Sequence, residues 1–185
     1  MPDSGEHPVE ILWRMQHEAM AAGHVLPERN QDDAKWGGLA FGVGDLNLVT
    51  ELTSIIDVLD CPAITPVPGT QSWLKGICNV RGKLYSVVDF GAFLGVAGPV
   101  SGNEGKLLVI NEEDLDCTLL VPKIFGLRYF DALQQGKDKS VLDTPAQPFI
   151  DRTFLQGDRI WAVLAVQRLI ADTEFLNVQK STVKR

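Results

Sequence analysis

WLKGICNVRGKLYSVVDFGAFL, from Trp73 to Leu94, is the stretch that decides the fold. Two apolar runs, Trp73 to Val80 and Leu84 to Val88, flank the polar Arg81-Gly82-Lys83. Apolar residues on both sides of a glycine-containing break predict a β-hairpin. The first run has apolar residues on both pleat faces, which predicts a strand buried on both sides. Phe90 to Leu94 predicts a short helical turn stopping at Gly95. Asp89 then reads as its cap, since a catalytic Asp would need a partner acid or base and none is evident.

A second stretch, FIDRTFLQGDRIWAVLAVQRLI from Phe149 to Ile170, lies over the first with no gap. Trp73 aligns with Phe149, Leu84 with Ile160, Tyr85 with Trp161, Val87 with Val163 and Phe93 with Leu169. Gly157-Asp158 stands in place of Arg81-Gly82. Upstream, Asp45 to Val58 (DLNLVTELTSIIDV) lies equally over Asp114 to Leu127 (DLDCTLLVPKIFGL), placing Ile55 on Ile124 and Ile56 on Phe125. Two gapless blocks in the same order read as a duplication, and repetition fixes architecture before any local detail. Each half reads as strand, turn, strand, bridge, hairpin and short helix: two similar β-units in one chain.

A length of 185 residues suits one domain, or two small ones sharing a core. Hydrophobic content of 45% and charged content of 22% are those of an ordinary globular protein. No apolar run approaches a membrane span, and Met1 to His7 is polar rather than a signal peptide, so the expected location is the cytoplasm. The net charge of −7 leaves no basic footprint for nucleic acid or an anionic membrane surface. Cys61, Cys78 and Cys117 are odd in number and share no metal-ligand spacing. Cys78 and Cys117 sit among aliphatic neighbours as small core residues, in keeping with a reducing compartment.

Along the chain, residues 1–35 form an appendage: a helix from Pro8 to Ala22, then a polar acidic linker. Val9, Leu12, Trp13 and Met20 fall near one face, which suits packing on the edge of the β-body or docking to a partner. Residues 36–172 are the body, with halves at about 36–95 and 106–172 joined by the glycine-rich Val96 to Gly105. A strand near Leu39 to Val43 turns at Gly44-Asp45 and returns from Leu46. Leu52 to Leu59 is apolar enough to predict burial on most sides. Three prolines make Cys61 to Gly69 an extended bridge. Strands are expected at Lys106 to Ile110 and Leu115 to Val121, an exposed loop over Asp131 to Pro148, and a polar, partly disordered tail over residues 173–185.

Catalytic chemistry finds few candidates. His7, His17 and His24 all lie in the appendage, so a nucleophile–histidine pair would have to borrow from the helix. No histidine or cysteine pair has metal spacing. Glu112, Glu113, Asp114 and Asp116 crowd a predicted turn without the central glycine and closing glutamate of a calcium loop. Gly42-Val43-Gly44 introduces no helix and makes no phosphate cradle. The expectation is a protein that is not an enzyme and holds neither metal nor cofactor.

The run ITPVPGTQSWLKGICNVRGKLYSVVDFGAFLG, Ile64 to Gly95, resembles the CheW-like adaptor family of bacterial chemosensory arrays. The family's ITPVP segment is Ile64 to Pro68, its glycine Gly76, its Asn-Leu-Arg-Gly turn Asn79-Val80-Arg81-Gly82, and its strand-ending aspartate Asp89. The resemblance covers roughly residues 38–172. It implies a mainly β fold of two five-stranded SH3-like β-barrels sharing a core, here with an extra N-terminal helix. That helix and the form Val80-Arg81-Gly82-Lys83 resemble the variant adaptors of type IV pilus (twitching-motility) chemosensory systems. The implied function is a non-enzymatic adaptor coupling a chemoreceptor cytoplasmic tip to the regulatory domain of a CheA-type histidine kinase. By motif position its partner contacts fall on Ile55, Gly76, Asn79, Val80, Arg81 and Gly82, with Arg81 leading. Phe90-Gly91 replaces the usual Leu-Arg, Pro122 stands where an Asp is frequent, and Arg152 replaces a common Gly. A small-molecule-binding β-barrel sensor is the alternative, and it needs an interior cavity with convergent polar groups.

Overall fold

A computed structural model describes residues 35–100, 104–112, 115–131, 135–136 and 144–178. The N-terminal helix expected at Pro8 to Ala22 lies outside the described residues.

The expected hairpin is present. Strand β4 (Leu74–Val80) and strand β5 (Lys83–Asp89) pair antiparallel with Val80 opposite Lys83, so Arg81 and Gly82 alone make the turn. Helix α1 (Phe90–Leu94) follows at once. The Asp89 carboxylate accepts the Ala92 N–H at 3.1 Å, and Gly95 closes the helix in the left-handed region. One expectation fails here: β4 buries Gly76 and Cys78 on one face only, while Asn79 on the other is exposed. It stands at the edge of its sheet, where Thr65 is bridged to Ile77.

The remaining strands are β1 (Lys35–Val43), β2 (Leu46–Thr50), β3 (Ile55–Asp60), β6 (Lys106–Ile110), β7 (Cys117–Val121), β8 (Lys123–Asp131), β9 (Gln135–Gly136), β10 (Ile150–Gln156) and β11 (Arg159–Leu164). Two short helices end the described chain, α2 (Val166–Ile170) and α3 (Thr173–Leu176). One sheet runs β8-β1-β2-β11-β10-β9 and the other β3-β6-β7-β5-β4. Neither sheet corresponds to a sequence half. The first takes β1 and β2 from one half and β8 to β11 from the other, and the second is the complement.

The exchange keeps the repeat's symmetry. Two parallel contacts join the halves, with Val163 opposite Val49 in one sheet and Val87 opposite Thr118 in the other. Those pairs are equivalent under the duplication, since Val87 aligns with Val163 and Val49 with Thr118. Ile124 lies opposite Phe41, and its counterpart Ile55 opposite Ile110. Each contact carries a register shift, a bulge that bends the strand at the same place in both halves.

Between the sheets lies the main core. Leu39, Phe41, Leu48, Ile150 and Leu164 meet Val88, Leu108, Ile110 and Leu119 there, with Phe90 and Leu94 from α1. Each sheet also buries its other face: Cys61, Cys78, Tyr85, Val87, Leu107 and Leu120 on one, Ala40, Val49, Phe130, Phe154, Trp161 and Val163 on the other. Sheets covered on both faces explain the continuous apolar runs of β6, β7 and β11. Burying one such large side chain is worth about 1.5–3 kcal/mol.

Two further expectations need correction. Leu52 to Leu59 is not enclosed: β3 is an edge strand on which Ile56 and Val58 are exposed. The stretch Asp131 to Pro148 is not all exposed loop, since Gln135–Gly136 pairs with β10 and Ala146 is buried. Of the C-terminal tail, the described residues reach Val178. Asp172 caps α3, and Phe175 is buried against Trp73 (stacked, 6.2 Å between centroids) and Phe93 (edge-on, 5.2 Å). The Gln71 N–H also donates to the Val178 carbonyl at 2.9 Å.

Candidate functional site

The turn of the β4–β5 hairpin is built for a protruding arginine. A two-residue type I′ turn, one of the two that match strand twist, needs positive φ at both central positions. Arg81 has φ 52° and Gly82 φ 89°; Arg81 is the non-glycine residue that takes this conformation among the described residues. The Asn79 side chain supports it, its Oδ1 accepting the Gly82 N–H at 2.8 Å. Val80 points the other way, half-buried against the cluster around Cys78 and Tyr85.

Arg81 reaches across to the opposite edge of its sheet. Its guanidinium meets the Asp57 carboxylate of β3 at 2.7 Å, with the arginine side chain 77% exposed. That ion pair draws the two edges of the five-stranded sheet together. Asp57 also accepts the N–H of Val58 at 2.8 Å, which blunts an otherwise open strand edge. Ile56 and Val58, flanking Asp57, are 59% and 39% exposed, and Leu84 beside the turn 58%. The strands that carry the charged pair thus leave aliphatic side chains uncovered, with Ile56 and Val58 alternating with Asp57 along β3. Leu84 lies opposite Asn79, on the strand face away from Tyr85.

The other expected site residues have different surroundings. Ile55 is half-buried, opposite Ile110 and against the main core. Gly76 is buried, and a Cβ there would sit 2.1 Å from the Thr65 carbonyl oxygen. Its position follows from the extended bridge, where Thr65 and Ile77 exchange backbone hydrogen bonds of 2.8 and 2.9 Å. Gly76 therefore serves the approach of two backbones. Asn79, Val80, Arg81 and Gly82 come together at the turn, with β3 alongside. Asp57 and Ile56 were not singled out from the sequence. The alternation Ile56-Asp57-Val58 was the available signal, because an acid between two aliphatics marks a strand with a wet face.

Electrostatics around the hairpin are those of an exposed surface. Lys83 donates to Asp116 at 2.5 Å, and that hydrogen bond pushes its ammonium pKa up. Burial pushes the Cys61 and Cys78 thiols up, and Cys117 up to about 12. Such thiols are protonated and unreactive. Among the described residues no group of histidine, cysteine and carboxylate side chains could hold a metal ion. A cavity of about 360 Å³ lies where the connection between halves passes α1, lined in part by Gly44, Asp89, Glu104 and Pro122. Its Asp89 carboxylate already accepts N–H groups from Ala92 and Val100. No helix among the described residues is long and apolar enough to cross a membrane.

Fold and surface together define a mainly β, two-sheet module that presents a hairpin turn. The family model described as the CheW-like domain matches residues 37–174, and the chain belongs to that family. It is 30% identical to protein PilI of Pseudomonas aeruginosa, over 92% of this chain and 96% of that protein. It is 28% identical to the chemotaxis protein CheW of Thermotoga maritima over 48% of this chain and 58% of that one. The scaffolding protein TtCheW of Thermoanaerobacter tengcongensis shares the fold, with a TM-score of 0.62 at 16% identity, covering 70% of this chain and 88% of that structure.

Proposed function

We propose that this protein is a non-enzymatic signalling adaptor that couples a chemoreceptor tip to a CheA-type histidine kinase in a type IV pilus chemosensory system. Membership of the CheW-like family supports the adaptor role, and the end-to-end likeness to PilI supports the pilus branch. In this reading each sheet curls into an SH3-like barrel, the N-terminal helix is an addition to them, and the protein works in the cytoplasm. The observation that carries the site is Arg81, held by its turn over Asp57 on the strand that exposes Ile56 and Val58. Arginine is among the residues enriched at binding hot spots. A partner carboxylate that displaces Asp57 can take the exposed guanidinium bidentately. Ile55 and Gly76 support that surface from beneath, and Asn79, Val80 and Gly82 shape it.

Titration of the purified protein against a receptor-tip fragment and a kinase regulatory domain, separately, tests the assignment. Arg81→Ala is expected to weaken one of the two by about thirtyfold, roughly 2 kcal/mol. Arg81→Lys is expected to restore only part, because an ammonium lacks the planar fork. Unchanged affinity for both partners would remove Arg81 from the site; no binding by the unaltered protein would remove the adaptor reading itself.

A further inference from the structure

The duplication allows the two halves to be compared at the place where Arg81 and Asp57 meet. Glycines stand at both equivalent positions of the second half, Gly126 for Asp57 and Gly157 for Arg81. The sheet edges there are joined instead by the Gln156 amide donating to the Tyr129 carbonyl at 3.5 Å. Cations gather nearby without an acid. The Arg128 guanidinium lies 4.6 Å above the Trp161 ring, and Lys123 lies 5.0 Å above Phe125. Phe125 and Trp161 meet edge to face at 5.5 Å, so the four side chains form one cluster. Among the described residues neither Arg128 nor Lys123 has a carboxylate partner.

Two N–H donors in this cluster are buried and lack an acceptor, Nε of Arg128 and Nε1 of Trp161. Trp161 is 1% exposed. A buried unpaired donor is costly, and such groups in native proteins have an acceptor supplied from somewhere. Trp161 replaces Tyr85 of the first half, whose surroundings raise no such demand. Two orphan donors, two unpaired cations and an aromatic floor on a protein of net charge −7 make a site for negative charge.

We propose that the Arg128–Trp161 cluster of the second half binds a carboxylate group. Arg128 supplies the guanidinium, Trp161 the indole N–H, and Lys123 the second positive charge at the rim. The acid is not a counterpart of Asp57, whose partner Arg81 is itself replaced by Gly157; it comes from outside the described residues.

Indole N–H resonances of the full-length protein report the site directly, with Trp161 assigned by its absence in Trp161→Phe. Sodium acetate is titrated against sodium chloride at matched ionic strength. A saturable shift of the Trp161 indole resonance with acetate alone is expected, and at least about tenfold weaker binding in Arg128→Gln. Lys123→Gln, which leaves the buried donors untouched, is expected to weaken acetate severalfold and guards against a misfolded Arg128 variant. A shift common to acetate and chloride, or one that survives Arg128→Gln, overturns the proposal, as does a resonance that never moves, since solvent then satisfies the donors. A short glutamate-containing peptide forms the last arm. Binding of both peptide and acetate assigns the site to a partner's side chain, and binding of acetate alone to a free carboxylate.

Discussion

Arg81 combines two roles that separate by substitution. Its φ of 52° is costly for a side chain with a Cβ, by about 1–2 kcal/mol, whereas glycine has no such penalty. The exposed ion pair with Asp57 returns about 0–1 kcal/mol. Arg81→Gly is therefore expected to leave stability unchanged or raise it by up to about 2 kcal/mol in urea denaturation, while removing the guanidinium. A clear loss of stability would show that Arg81 holds the hairpin rather than serving a partner. Cys117 provides a second test at this scale. Its thiol, pushed up to about 12 by burial, titrates in the unfolded chain near the ordinary value of 9.0. Above pH 9 the unfolded chain thus binds fewer protons than the folded one, and stability falls as pH rises toward 12. Unfolding midpoints measured across this range are expected to decline less steeply in Cys117→Val.

At the scale of elements, the edges of the sheets carry the information. β3 was expected to be buried because its composition is apolar, yet composition does not reveal which strand stands at an edge. Pairing with β6 alone leaves Ile56 and Val58 uncovered. The C-terminal helix α3 makes the opposite point. Its four residues are too few to be stable alone, and they persist because Phe175 closes the aromatic group of Trp73 and Phe93. Phe175→Ala is expected to cost about 3–5 kcal/mol in a urea melt. Loss of amide protection at Gln71, which binds the Val178 carbonyl, should accompany it in hydrogen exchange. A change below about 1 kcal/mol would mean that the tail decorates the core rather than completing it.

For the whole molecule, the exchange of strands ties the halves together. Each sheet takes strands from both halves, and the main core draws residues from both sheets. Neither 36–95 nor 106–172 has a sheet of its own, so calorimetry should show a single transition with matching calorimetric and van't Hoff enthalpies. Two resolved transitions would contradict the shared core. Much of this organisation was legible beforehand. The hairpin at Trp73 to Leu94, the Asp89 cap, the Gly95 stop and the duplication are local properties of backbone geometry and side-chain order, which the chain carries wherever it folds. The turn Asn79 to Gly82 was legible for the same reason. Strand partners, by contrast, depend on which edges meet in space. The parallel contacts of β2 with β11 and β5 with β7, the open edge at Ile56 and Val58, and the Arg81–Asp57 pair join residues far apart in the chain, where no local preference acts. Periodicity told which residues form strands; only burial against the other half decided which strands became neighbours, and so which apolar side chains were left uncovered.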